Sequence, residues 1–458
     1  MLDEVVTTAA PDAPTRWRCL NCAYLEDGPK PPLICPICAA PAERFAALDT
    51  ADVPPEAAEQ GALVIIGAGV AGISAAEAAA QAAPQSRITV IGAEPGLPYY
   101  RLNLTRYLAG EVTREDLVIH PQSWYDERRI ALLTGCEVTG IDAEERLLHL
   151  ADGDLLPYDR LILAMGAHCF VPPVPGITKP GVVALRTVAE ADALLEAVRP
   201  DVPVVCIGGG ILGMETAAAL TRRGARVTLL EAYDHLMPRQ LDAQAGALLA
   251  AQAEALGITV LFNAAVAEIT GEQQADGVLL SDGRRIPAEL ISVSVGVRPN
   301  SHLGRRLGLE VDKGLVVDQY LRTSQPDVFA AGDLAEHQGV LYGAWAPAQF
   351  MGTIAGRNAA GAPTPFAGIP RAHAIKVIGT EVVSIGMVRP EDGSYRRLSR
   401  QDGDHYQNFI IHDGRLVGAI LFGDGRLAPA VRKAMEQGHD VAEAADAAGM
   451  VALLERWL

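Results

Sequence analysis

Apolar content is low between Trp17 and Leu48, where Pro and Cys are frequent instead. A segment this small cannot fold on a hydrophobic core alone. Asp49 to Gly61 is rich in Ala, Pro and Glu and reads as a linker; about 12 residues of this kind reach on the order of 20 Å. From Ala62 the texture changes, and apolar strands alternate with helical stretches in the manner of βαβ units around parallel sheets. One design occurs twice. Leu63 to Gly69 and Val204 to Gly210 are apolar strands that run into glycine loops, each followed by an Ala-rich helix. After about Ile369 the pattern shifts again: Phe409 to Ile420 reads as a hairpin turning at Asp413-Gly414, and helical sequence rich in Ala, Leu and Glu closes the chain. This last part is expected to be a separate α+β domain.

Composition narrows the function classes. A chain of 458 residues implies two to four domains. Lys and Arg total 38 against 56 Asp and Glu, a net charge of −18. That surface repels phosphate backbones and anionic lipid, so neither nucleic acid nor a membrane surface is an expected partner. It suits a basic redox protein, although acidity also simply aids solubility. The start, Met1-Leu2-Asp3-Glu4, lacks the basic and apolar regions of a signal peptide, and no apolar run approaches the roughly 20 residues of a membrane span. A cytoplasmic location is therefore expected.

The glycine loops carry the first chemistry. In Gly67-x-Gly69-x-x-Gly72 the first glycine makes a tight turn, the second admits a pyrophosphate, and the third lets helix and strand approach. The helix N-terminus supplies unpaired N–H donors and the positive end of a dipole. A second strand, Ile88 to Gly92, leads to Glu94, an acid placed to hold a ribose hydroxyl. Gly208-x-Gly210-x-x-Gly213 repeats this arrangement, and its second strand, Arg226 to Leu230, ends at Glu231. That carboxylate would repel a 2′-phosphate, and Ala232-Tyr233-Asp234 offers no arginine, so NADH is favoured over NADPH. Much later, Val328 to Ala331 ends in Gly332-Asp333, where a carboxylate can accept hydrogen bonds from a sugar-like chain. Its distance from the first loop fits a domain interrupted by another.

Four of the seven cysteines form two knuckles, Cys19-x-x-Cys22 and Cys35-x-x-Cys38. They can present four thiolates tetrahedrally to one ion, zinc or iron, and the metal would supply the folding energy that the segment lacks. Cys136, Cys169 and Cys206 stand alone and read as inert thiols, with Cys169 retained as a minor candidate for peroxide chemistry.

On these residues the chain resembles the FAD/NAD(P)-dependent reductases with two dinucleotide-binding domains. It is close to the NADH:rubredoxin and ferredoxin reductases and to the flavin portion of assimilatory nitrite reductases. The likeness runs from about Ala62 to Gly361 and, more loosely, through the C-terminal part. Leu161 to Ala167 and Gly296-Val297-Arg298-Pro299-Asn300 support it, with Met165 in place of the usual Thr. The resemblance implies FAD at the first loop, held by Gly67, Gly69, Gly72, Glu94, Arg101, Ala164, Gly166 and Gly332. Asp333 would meet the ribityl chain and the Val138 backbone the adenine, while Trp345 to Gln349 would open a helix facing the flavin pyrimidine. NADH would lie at Gly208, Gly210, Gly213, Glu231 and Gly296. Glu215 matches a carboxylate that family members place facing nicotinamide and flavin, and Arg106 stands where relatives carry a lysine; an Arg106–Glu215 ion pair positioning the nicotinamide is expected, against an ordinary surface pair. The segment around Trp17, Cys19, Cys22, Tyr24, Cys35, Cys38 and Phe45 resembles the rubredoxin-like domain of rubrerythrins, with Ala23 where a glycine is usual. That implies a four-cysteine iron centre, with a docking zinc ribbon as the alternative.

The expected fold class is thus α/β: two Rossmann-like dinucleotide-binding domains, one inserted in the other, plus a C-terminal α+β domain and a small N-terminal rubredoxin-like metal-knuckle domain. The boundaries read as 1–48 for the metal domain, 49–61 linker, 62–175 and 298–366 for the FAD-binding parts, 176–297 for the NAD-binding domain, and 367–458 for the C-terminal interface domain. The expected activity is NADH oxidation through FAD, with single electrons passing to the N-terminal iron. An external redox protein would receive them: a rubrerythrin, a flavodiiron protein, an oxygenase or a nitrite-reducing partner. Alternatives are an NADH oxidase or a peroxide- or disulfide-type reductase with a structural zinc, and a non-catalytic NADH-responsive sensor. The C-terminal domain, as in relatives, would form a dimer interface or cover the flavin.

Overall fold

The computed structural model describes residues 15–19, 25–28, 30–32, 42, 45–48 and 61–458, apart from 370, 371 and 391. The chain divides into two compact units. The first comprises Met1–Pro98, Pro121–Gly166 and Asn300–Pro370, and the second Tyr99–His120, Ala167–Pro299 and Arg371–Leu458.

In the first unit the strands Thr15–Cys19, Leu25–Gly28 and Phe45–Leu48 form an antiparallel sheet with Thr15–Cys19 at its centre. A five-stranded parallel sheet follows, in the order Val328–Ala330, Arg160–Leu163, Ala62–Ile66, Arg87–Gly92, Ile130–Thr134. Its central strands are near-continuous apolar runs because both faces are covered; Val64, Ile65, Leu161 and Ile162 are all buried. Helices Val70–Ala82 and Trp345–Ala359 pack closely through small residues: a methyl built on Gly352 would lie 2.1 Å from the Ala71 carbonyl oxygen, and one on Gly356 equally close to that of Ala75.

The second unit repeats the plan. Its parallel sheet runs Val182–Val183, Leu290–Val293, Pro203–Ile207, Arg226–Leu230, Thr259–Leu261, with helix Ile211–Arg222 after the second glycine loop. The C-terminal part is a five-stranded antiparallel sheet, ordered Ala372–Val377, Thr380–Gly386, Arg415–Phe422, His405–His412, Arg396–Asp402. Helices Ala428–Gln437 and Ala447–Glu455 complete it. The hairpin expected at Asp413-Gly414 is present, both residues having positive φ (49° and 73°), as a two-residue type I′ turn requires.

That sheet is apolar on both faces. Phe409, Ala419 and Leu421 pack with Val431 and Met450 of the two closing helices, whereas Tyr406, Ile420 and Phe422 share a core with Leu220 and Leu249 of the nucleotide-binding half. The C-terminal segment therefore has its own α+β core and is also built into the second unit. The stretch Tyr99–His120, which the sequence pattern groups with the first glycine loop, also joins the second unit, because Leu104, Leu108 and Leu117 are buried in the same core. No helix among the described residues is long and apolar enough to cross a membrane.

Candidate functional site: two glycine cradles

In the first unit Gly67 has φ +114°, and a methyl there would lie 2.2 Å from the Ala164 carbonyl oxygen; one on Gly72 would lie 1.8 Å from that of Gly67. Both positions admit only glycine, for backbone sign and close approach respectively. Gly69 differs: a methyl there would meet no protein atom within 4 Å. It is the N-cap of Val70–Ala82 and no side chain caps it. Fold geometry does not require Gly69, so its bare Cα and the helix N–H groups leave room for a bound group, as a pyrophosphate demands.

Several of the other implied FAD residues of this unit lie near that helix. Gly332 (φ +77°) would place a methyl 2.9 Å from the Cβ of Ala71, so the Gly332–Leu334 turn carrying Asp333 lies against the loop helix. Helix Trp345–Ala359 also begins without a side-chain cap, with Trp345 and Gln349 in its first turns. Ala164 N–H donates to Ile66 O (2.8 Å), and Gly166 has φ +63° with open space where a side chain would be. Val138 is buried at the start of strand Val138–Asp142. Glu94 follows strand Arg87–Gly92, half-buried, its carbonyl accepting from Gly135 N–H. Asn300 closes the Gly296–Asn300 motif, and the sequence alone assigns it no role. Its side-chain amide donates to Met165 O (2.7 Å) and its backbone N–H to Gly166 O (2.9 Å). Asn300 thus clamps the backbone of the stretch that carries Met165.

The second cradle matches the first closely. Gly208 has φ +110°, a methyl on Gly213 would lie 1.9 Å from Gly208 O, and Gly210 is an uncapped N-cap facing open space. Glu231 is buried, its Oε2 accepting from Gly209 N–H (2.8 Å) and its Oε1 from Tyr233 N–H (3.0 Å). A methyl on Gly209 would come within 2.8 Å of that Oε2, so this variable position of the motif is also tied to glycine. The two amides fix the carboxylate rotamer, and none of the three residues after it, Ala232, Tyr233 and Asp234, is an arginine; Tyr233 is exposed. Gly296 (φ +117°) is open like Gly166, and its carbonyl accepts from Phe170 N–H (2.8 Å).

The expected Arg106–Glu215 ion pair does not form. Arg106 lies on the short helix Leu104–Ala109, and the left-handed Gly110 turns the chain so that Glu111 Oε2 lies 3.1 Å from Arg106 Nε. Arg222 takes the other oxygen of Glu111 (2.5 Å). Arg106 is captured by a neighbour five residues away, on an exposed surface where such pairs contribute little. Glu215 Oε1 instead accepts the backbone N–H of Ile378 (2.7 Å). Arg101 stacks over the Tyr99 ring (5.1 Å) and donates to the Arg186 carbonyl.

The lone thiols carry no sign of activation. Burial pushes the Cys206 thiol up to about 12, and burial first, then the neighbouring Glu190, raises that of Cys169. Burial likewise raises Cys136. All three are free, and none belongs to a disulfide among the described residues. A nucleophilic thiolate requires the opposite shift, so disulfide or peroxide chemistry at Cys169 has no support. Of the four-cysteine set, Cys19 ends strand Thr15–Cys19 opposite Phe45, which is buried. The side chains of Cys19, Cys22, Cys35 and Cys38 lie outside the described residues.

Comparison with known proteins gives three family matches. Residues 61–352 match Pyridine nucleotide-disulphide oxidoreductase, 372–439 the Rubredoxin NAD+ reductase C-terminal domain, and 17–46 the Rubrerythrin, rubredoxin-like domain. The nitrite reductase [NAD(P)H] of Bacillus subtilis (strain 168) is 35% identical over 386 residues, covering 83% of this chain and 48% of that protein. This chain thus spans about half the length of that relative. The benzene 1,2-dioxygenase system ferredoxin–NAD(+) reductase subunit of Pseudomonas putida is 36% identical over 273 residues, 60% of this chain and 67% of that one. Among solved structures, the NADH:rubredoxin oxidoreductase from Clostridium acetobutylicum superposes with a TM-score of 0.75 at 27% identity, covering 86% of this chain and 99% of that one.

Proposed function

Since the chain belongs to the pyridine nucleotide-disulphide oxidoreductase family, we propose that it is an NADH-driven electron carrier that feeds its own four-cysteine iron centre and, through it, an external redox protein. Kinship supports the coarser part of this reading: an NAD(H)-dependent flavin reductase of the ferredoxin and rubredoxin reductase group, with FAD and NADH as cofactors and a rubredoxin-like domain. The finer route rests on one observation, the match of residues 17–46 to a rubredoxin-like domain on the same chain as the reductase. When bound, the flavin takes two electrons as a hydride and releases them singly, which is why a one-electron outlet on the same chain makes chemical sense.

The residues divide that work. Gly67, Gly69 and Gly72 give the FAD pyrophosphate access to the helix N–H groups, and Gly208, Gly210 and Gly213 do the same for NADH. Asp333 offers a carboxylate to the ribityl hydroxyls. Glu231 accepts from the adenosine ribose and excludes a 2′-phosphate. Cys19, Cys22, Cys35 and Cys38 would hold the iron. The linker keeps that centre at roughly millimolar effective concentration. The absence of an activated thiol among the described residues favours this reading over the disulfide- and peroxide-reducing alternatives. Purified protein given NADH without air should lose its flavin absorbance and then its ferric-thiolate bands. Zinc in the four-cysteine site, or ferric iron that stays oxidised beside a bleached flavin, would refute the route.

A further inference from the structure

The hairpin joining Ala372–Val377 to Thr380–Gly386 turns in two residues, with Val377 paired to Thr380. Its loop residues Ile378 and Gly379 have φ +42° and +95°, the type I′ signature. The Asp413-Gly414 turn of the same sheet meets that geometry with residues that tolerate it. Ile378 does not: a β-branched residue in the left-handed region is strained. Two contacts hold it there. Its side chain is buried in the core shared with the nucleotide-binding half, and its N–H, which a two-residue loop leaves outside the ladder, donates to Glu215 Oε1 at 2.7 Å. Glu215 lies two residues beyond Gly213, on the helix that the second cradle opens. Its Oε2 has no partner among the described residues.

We infer that the Ile378–Gly379 turn is a positioning element of the nicotinamide-nucleotide site, fixing the Glu215 carboxylate so that Oε2 is presented to the bound nucleotide. The inference rests on the NADH reading above and extends it: the C-terminal sheet sets the rotamer of a carboxylate on the cradle helix. The core packing and the hydrogen bond that impose the left-handed backbone on Ile378 also hold the amide in place, since relaxing that backbone would swing the donor away from Glu215. Arg106 has no part in this, being held by Glu111. The backbone amide of a buried residue such as Ile378 fixes an acceptor more rigidly than a long exposed side chain does.

The test is an amide signal. In protein labelled with 15N-isoleucine, the Ile378 resonance should lie downfield, as expected for a charge-assisted donor. It should shift upfield in Glu215→Gln and move on titration with NAD+, while Ile410 on the far strand stays fixed. Inserting two glycines between Ile378 and Gly379 should slow NADH-driven flavin reduction at least about 10-fold, since a misplacement near 1 Å can cost about 100-fold, with dithionite reduction unchanged. Ile378→Asn, which suits the turn and keeps the N–H, should retain most of the rate and, in protein labelled with 15N-asparagine instead, should show the downfield signal at position 378. An Ile378 resonance indifferent to both NAD+ and Glu215→Gln overturns the inference even if the insertion variant fails to fold. Wild-type flavin that NADH cannot bleach would instead refute the functional reading, so the two failures are distinguishable.

Discussion

Replacing Gly210 and Gly213 separately by alanine distinguishes a glycine kept for a ligand from one kept for the fold. A methyl on Gly213 would lie 1.9 Å from the Gly208 carbonyl oxygen, well inside the 3.0 Å that real Cβ atoms respect. The shortfall of 1.1 Å (3.0 less 1.9) is against backbone, which cannot rotate away. The loop must shift, at a cost of about 1–3 kcal/mol or more for overpacking. At Gly210 the methyl meets nothing within 4 Å, and φ −80°, ψ −178° suits alanine. The only structural loss is a poorer N-cap, about 0.5–1 kcal/mol. The same methyl nevertheless occupies the approach of a pyrophosphate, and a clash of about 1.4–2.8 kcal/mol there weakens binding roughly 10- to 100-fold. Gly210→Ala should therefore unfold in urea close to wild type, retain its flavin, and show a 10- to 100-fold weaker NADH dependence in stopped-flow flavin reduction. Gly213→Ala should lose stability first. Wild-type NADH affinity in Gly210→Ala, or destabilisation as large as that of Gly213→Ala, would refute this assignment of the cradle.

Glu231→Gln should lower the preference for NADH over NADPH at least about 10-fold in kcat/KM, because the charge that repels a 2′-phosphate is gone while one backbone amide keeps its acceptor; an unchanged ratio would place selectivity elsewhere. Cys169 has its thiol raised by burial, so its thiolate appears only at higher pH than that of an ordinary cysteine. Iodoacetamide should label it slowly at pH 7 and faster as pH rises, and Cys206, at about 12, should resist throughout the range that keeps the protein folded. Rapid labelling of either at neutral pH would reopen the thiol mechanism. Asp242→Ala removes the N-cap of helix Ala243–Ala255 (Ala245 N–H, 3.0 Å) together with the bonds from Tyr406 Oη (2.7 Å) and Asn408 Nδ2 (2.8 Å). About 2–4 kcal/mol should be lost, measured as a lower urea midpoint. A loss below about 1 kcal/mol would mean that the C-terminal sheet docks without these bonds.

The two cradles, their acids and the two nested halves were legible in the sequence because each depends on local rules. A left-handed φ at Gly67 or Gly208, a helix opening at Gly69 or Gly210, and an apolar strand before each loop are properties of a few consecutive residues, and only certain residue types satisfy them. The Asp413-Gly414 turn is another such case. Contacts between residues far apart carry no such imprint. Glu215 and Ile378 are 163 residues apart and Asp242 and Tyr406 164, and nothing in the local composition of either member names its partner. Position in the sequence therefore pairs Arg106 with Glu215, whereas the fold gives Arg106 the nearby Glu111. Ile378 is the instructive case, since its side chain contradicts the turn that it occupies. Only a buried core and a carboxylate brought from a distant helix hold it there, and packing alone decides where those lie.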